Sequence, residues 1–112
     1  MAEYVRVARL QELPPGRMKH IPLSGGAVAL HNVNGQIYAT QDACPHEGVS
    51  LSKGGHLEGE TLTCGYHFWC FNVRSGTPED GLGDSLTTYV VKVQGDDIYL
   101  LLETGRSPRM MV

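Results

Sequence analysis

Polar and apolar positions alternate with a period of two from Tyr4 to Ala8, as in a strand that buries one face. Ala27 to Val33 then meets Gln36 to Thr40 across Asn34-Gly35. A two-residue hairpin turn needs positive φ at both central positions, which Asn and Gly tolerate, so this dipeptide between two β-rich runs predicts a hairpin. Farther on, Tyr89, Val91 and Val93 fall on one face of a predicted strand, and Gln94-Gly95-Asp96-Asp97 turns the chain into Ile98 to Leu102 as a second hairpin. Fourteen glycines and six prolines break any helical period, so no amphipathic helix longer than about two turns is expected. The pattern predicts an all-β fold, with residues 1–42 and 85–103 as a base of small antiparallel sheets. Residues 43–84 read as a loop-rich insertion within one domain spanning 1–112. Thr104 to Val112 lies past the last strand pattern, contains Gly105 and Pro108, and is expected to fray.

With 112 residues, 41% of them apolar, and a net charge of −3, the chain fits one small globular domain with one site. No cluster of Lys and Arg tracks a phosphate backbone, which argues against nucleic acid. The segment Met1-Ala2-Glu3-Tyr4-Val5-Arg6 carries charges where a signal peptide is apolar. No run approaches the roughly 18 apolar residues of a membrane span. A cytoplasmic protein without a membrane partner is expected, and three cysteines suit a reducing compartment.

The chemistry concentrates in the insertion. Cys44-Pro45-His46 is followed, after seventeen intervening residues, by Cys64-Gly65-Tyr66-His67. Each pair offers one sulfur and one nitrogen, so two loops can give one iron two thiolates and a second iron two imidazoles, the ligation of a Rieske [2Fe–2S] centre. The same four donors also suit a structural zinc ion. Zinc fingers, however, usually place both Cys in the first pair and both His on a helix, and neither pair here lies on a helical pattern.

The stretches Cys44-Pro45-His46-Glu47-Gly48 and Cys64-Gly65-Tyr66-His67-Phe68-Trp69-Cys70-Phe71 resemble the cluster loops of Rieske ferredoxins, the small electron carriers of bacterial multicomponent aromatic-ring oxygenases. The likeness extends to the closing hairpin from Tyr89 to Tyr99 and suggests the ferredoxins of toluene monooxygenase type. By this resemblance Cys44 and Cys64 bind the inner iron of one [2Fe–2S] cluster, and His46 and His67 the outer one. It implies a monomeric carrier, not itself an enzyme, that takes single electrons from a flavin-containing NAD(P)H reductase. It would deliver them to a terminal oxygenase through transient docking at the histidine tip. Oxidation should make both imidazoles more acidic, coupling reduction to proton uptake at alkaline pH. A permanent small subunit of a reductase, such as an assimilatory nitrite reductase, is the alternative, beside the zinc module.

High-potential relatives join their cluster loops by a disulfide and direct Ser and Tyr hydroxyls at the cluster sulfurs. Here the corresponding positions are Val49 and Tyr66 for the disulfide, and Trp69 and Phe71 for the hydroxyls. A potential near the lower end of the Rieske range is therefore expected.

Cys70 falls on the same side of a predicted strand as Phe68 and reads as a buried, inert thiol, with a redox role as the alternative. His20, His31 and His56 read as surface residues. Glu47, Glu58, Glu60, Glu79, Asp80 and Asp84 either steer a basic partner or serve solubility. Pro78, in Ser75-Gly76-Thr77-Pro78, belongs either to a third loop shielding the cluster or to a plain turn.

Overall fold

The computed structural model describes residues 2–45, 48–65, 69–79, 81 and 83–103. The expected fraying of Thr104 to Val112 lies outside them. The described chain is all-β, in small antiparallel sheets. One sheet has the order β1 (Ala2–Arg9), β10 (Asp97–Glu103), β9 (Val91–Gln94). A second runs β2 (Met18–Ile21), β3 (Val28–Val33), β4 (Gln36–Gln41), β8 (Thr88–Tyr89). Both pack on one core that includes Leu13, Ile21, Val28, Leu30, Ile37, Ile98 and Leu100. This is the predicted base.

The β3–β4 hairpin forms as its sequence dictates. Val33 pairs with Gln36, and the turn residues have φ of 53° at Asn34 and 95° at Gly35. Buried Asn32 fastens this turn to the rest of the base: its side-chain N–H donates to the Leu13 carbonyl at 2.7 Å, and its Oδ1 accepts from the Gly35 N–H at 2.7 Å.

The run from Tyr89 to Val93 departs from the single strand face expected of it. Tyr89 pairs with Ala39 in the second sheet, whereas Val91 pairs with Leu100 in the first. The chain crosses between sheets at Val90, which is 54% exposed, and Val93 is 43% exposed on the edge strand β9. Alternation alone does not mark a crossover, because the side-chain period continues through it.

Residues 43–84 hold more regular structure than a set of loops. The short helix α1 (Leu51–Gly54) precedes a third sheet of order β5 (His56–Glu58), β6 (Thr61–Thr63), β7 (Cys70–Asn72). Leu57 opposes Leu62, which opposes Phe71, and these three lie in a second core with Leu51, Val73 and Leu86. Met18, Val33 and Tyr38, on the base, pack against it. The insertion leaves and rejoins the base at one place. The Gln41 N–H donates to the Thr87 carbonyl and the Thr87 N–H to Gln41 Oε1, both at 2.8 Å. The Gln41 side-chain Nε2–H donates to the Ala43 carbonyl at 2.6 Å.

Candidate metal centre

Cys44 follows β4 at the start of a loop that closes on itself. Its N–H donates to the Val49 carbonyl at 2.9 Å, its carbonyl accepts from the Gly48 N–H at 2.8 Å, and Ala43 bridges Ser50. Gly48 sits at φ 72°, where a β-carbon would be strained. Ser50 then caps α1 by accepting from the Lys53 N–H. Cys64 opens a second loop between β6 and β7, closed by its own N–H donating to the Trp69 carbonyl at 2.7 Å. Both thiols belong to the second core, 2% and 0% exposed, and neither is in a disulfide.

His46 and His67, the predicted imidazole donors, lie outside the described residues, as do Glu47, Tyr66, Phe68 and Asp80. No group of three potential ligands occurs among the described residues. What the structure does show of the site fits a cofactor held between two loops. A β-carbon on Gly65 would collide with the Gly54 carbonyl, and one on Gly55 would stand 2.9 Å from the Thr63 carbonyl. Backbone therefore meets backbone where the Cys64 loop touches the end of α1. Beside this contact is a cavity of about 220 Å³ lined by Val49, Ser50, Gly54 and Gly65, one flank from each loop. Two buried soft donors, one at the root of each loop, match the thiolate half of a Cys2His2 set.

The segment after β7 is ordered by Asn72, whose Oδ1 accepts from the N–H groups of Arg74 at 2.9 Å and Ser75 at 3.1 Å. Gly76 has φ 82°, and its carbonyl accepts from the Leu86 N–H at 2.7 Å. Pro78 is buried and bridges Phe71, a member of the second core.

Two histidines read as surface residues are not. His31 is fully buried in β3. Its Nε2 lies 2.9 Å from Thr40 Oγ1, and the Thr40 hydroxyl donates onward to the Gln41 carbonyl, so Nε2 carries the ring proton. Nδ1 is buried with no hydrogen-bond partner among the described residues. Burial lowers the ring pKa to about 4, against a smaller opposing pull from Asp42. His20, in β2, is half-buried, with Nδ1 3.1 Å from Asp42 Oδ2. Asp42 is itself buried, and burial alone would raise its carboxyl. Hydrogen bonds from Ser50 and Ser52 and the charge of the His20 ring outweigh it and hold the group below the ordinary carboxylate value. The signal for the burial of His31 was in the sequence: Ala27-Val28-Ala29-Leu30 is apolar at both parities, the mark of a strand covered on both faces, and His31 continues that strand. His56 is exposed, as expected.

Cys70 is half-buried, not fully buried; it pairs across the sheet with Thr63, whose Oγ1 is 3.4 Å from its Sγ. Among the acidic residues, Glu60 accepts from the Asn72 side chain and Glu79 from Thr61, both at 3.2 Å, while Glu58 and Asp84 are exposed.

A two-sheet base with a separate core, two thiol-bearing loops and a third small sheet defines a protein of Rieske architecture. Residues 3–90 match the Rieske [2Fe-2S] domain family, and the chain belongs to it. Its cofactor is accordingly a Rieske [2Fe–2S] cluster. The chain is 33% identical over 96 residues to the biphenyl dioxygenase ferredoxin subunit of Pseudomonas sp. (strain KKS102), covering 85% of this chain and 88% of that one. It is 35% identical over 110 residues to the ferredoxin component of the p-cumate 2,3-dioxygenase system of Pseudomonas putida, covering 96% and 92%. A ferredoxin chain in the complex of reduced oxygenase and oxidized ferredoxin of carbazole 1,9a-dioxygenase superposes with a TM-score of 0.80 at 30% identity, covering 87% and 91%. These relatives serve ring dioxygenases, whereas the cluster loops suggested the toluene monooxygenase type. No helix among the described residues is long and apolar enough to cross a membrane.

Proposed function

We propose that this chain is a one-electron carrier between a flavin-containing NAD(P)H reductase and the terminal oxygenase of an aromatic-ring-oxidising system. It works as one cytoplasmic, monomeric domain over residues 1–112, with the cluster held in the insertion. The observation that carries the reading is the burial of Cys44 and Cys64 in one core at the roots of two loops, the second packed backbone to backbone against the helix that follows the first. Cys44 and Cys64 supply thiolates to the inner iron, and His46 and His67 supply imidazoles to the outer one. When bound, the cluster accepts and returns a single electron. Leu51, Leu62, Phe71, Val73 and Leu86 exclude water from the thiol side. That leaves exchange to the imidazole side, where a small, transient partner contact suits a redox encounter.

The test is absorption and low-temperature EPR of the dithionite-reduced protein, with iron, sulfide and zinc analysis. About two irons and two sulfides per chain with the low-average-g signal of a Rieske centre are expected. One zinc in a colourless protein overturns the reading. Stable co-purification with a reductase subunit overturns the shuttle while leaving the cluster. Cys44→Ser, His46→Ala, Cys64→Ser and His67→Ala should each abolish the signal.

A further inference from the structure

We infer that His20, on the base, is a positioning residue for the first cluster loop, acting through the Asp42 carboxylate. The inference rests on Cys44 being a ligand, as proposed above. Asp42 stands two residues before Cys44 and grips both ends of the loop. Its carbonyl accepts from the Leu51 N–H at 2.7 Å and its Oδ1 from the Ser52 N–H at 2.9 Å, while its own N–H donates to the Ala27 carbonyl at 3.1 Å. The remaining carboxylate oxygen, Oδ2, points at His20 Nδ1 at 3.1 Å, and Ser52 Oγ is 3.4 Å from the same nitrogen. His20 reaches this point across β3. It pairs with Ala29, which pairs in turn with Thr40 next to the end of β4.

Asp42 is 4% exposed at the side chain and His20 28%. A carboxylate buried this far needs its acceptor sites filled. Removing the ring leaves Oδ2 without that donor and frees the clamp to tilt toward water, carrying Leu51, Ser52 and the Cys44 loop with it. The base sheet keeps its own ladder, because no backbone hydrogen bond uses the ring. The effect therefore falls on residues 43–52 and not on the β1–β10–β9 sheet.

The experiment compares holoprotein carrying His20→Leu and His20→Gln with wild type by iron release to a chelator, EPR line shape of the reduced cluster, and amide hydrogen exchange. His20→Leu is expected to release iron roughly tenfold faster, broaden the EPR signal, and speed exchange within residues 43–52 alone. His20→Gln, which keeps an N–H donor, is expected to stay within about twofold of wild type in all three. Unaltered iron release and EPR in His20→Leu overturn the role. So does faster exchange spread evenly over all strands with no rescue by Gln, the mark of a merely structural residue. Should His20→Leu fail to fold, Asp42→Asn keeps the shape and removes the charge that His20 faces, and wild-type iron release in it overturns the role equally. Cys44→Ser is measured alongside. If that variant still binds its cluster, the ligand reading has failed, whatever the His20 variants show.

Discussion

At the scale of single side chains, burial sets the protonation state of His31. The folded ring titrates at about 4 against 6.5 in the unfolded chain. Above 6.5 the ring is neutral in both states, and below it only the unfolded state takes up the proton until pH nears 4. Acidification through that window should cost the fold on the order of 3 kcal/mol. Nitrogen NMR of the ring should show an Nε2–H tautomer unchanged from pH 7 to 5, and a midpoint near 6.5 would refute the assignment. Phe71 and Trp69 carry no hydroxyl where high-potential relatives have donors, so the midpoint is expected in the lower part of the range of about −150 to +300 mV. Voltammetry giving a value well above zero would contradict this. That Cys44 and Cys64 belong together was legible in the sequence, because soft donors rarely recur at matched spacing by chance, and the structure buries both in one core. The burial of His31 had a signal in the apolar run before it, whereas the His20–Asp42 contact had none, since it joins residues 22 positions apart.

At the scale of elements, the close approach of the Cys64 loop to α1 makes Gly65 irreplaceable for a steric reason. Gly65→Ala places a methyl against the Gly54 carbonyl, so the Cys64 loop and α1 must part. A protein with intact β circular dichroism and little bound iron is expected, and full iron occupancy would show that this contact yields. Gly35→Ala tests the base separately: at φ 95° an L residue costs about 1 to 2 kcal/mol. This should lower the melting temperature by several degrees with the EPR signal unchanged. Both hairpins of the base were legible because runs of four or more residues show their period and their turns have a chemical signature. The third sheet was not, because its strands have three residues each, too few to display a period of two. Its place in the fold comes from Leu57, Leu62 and Phe71 meeting in the second core.

At the scale of the whole molecule, the net charge of −3 is distributed over residues with different duties. Glu60 and Glu79 bind neighbours within the insertion, whereas the exposed Glu58 and Asp84 are the carboxylates there best placed to steer a basic partner. Glu58→Lys with Asp84→Lys should slow reduction of the oxygenase several-fold at low ionic strength and flatten its salt dependence. Stopped-flow rates indifferent to both would assign these charges to solubility alone. The division into base and insertion was legible from the distribution of hairpin signals, but the second hydrophobic core was not, because its members sit on three-residue strands, one short helical turn and loops that show no period. The paired bonds between Gln41 and Thr87 have a consequence for engineering. They close the base into a socket that is complete at its rim, so a foreign segment could be spliced between them without shifting the register of any base strand. Doubling the length of such a graft would add only about 0.6 kcal/mol of closure entropy, and this small protein could serve as a chassis for cluster loops of other composition.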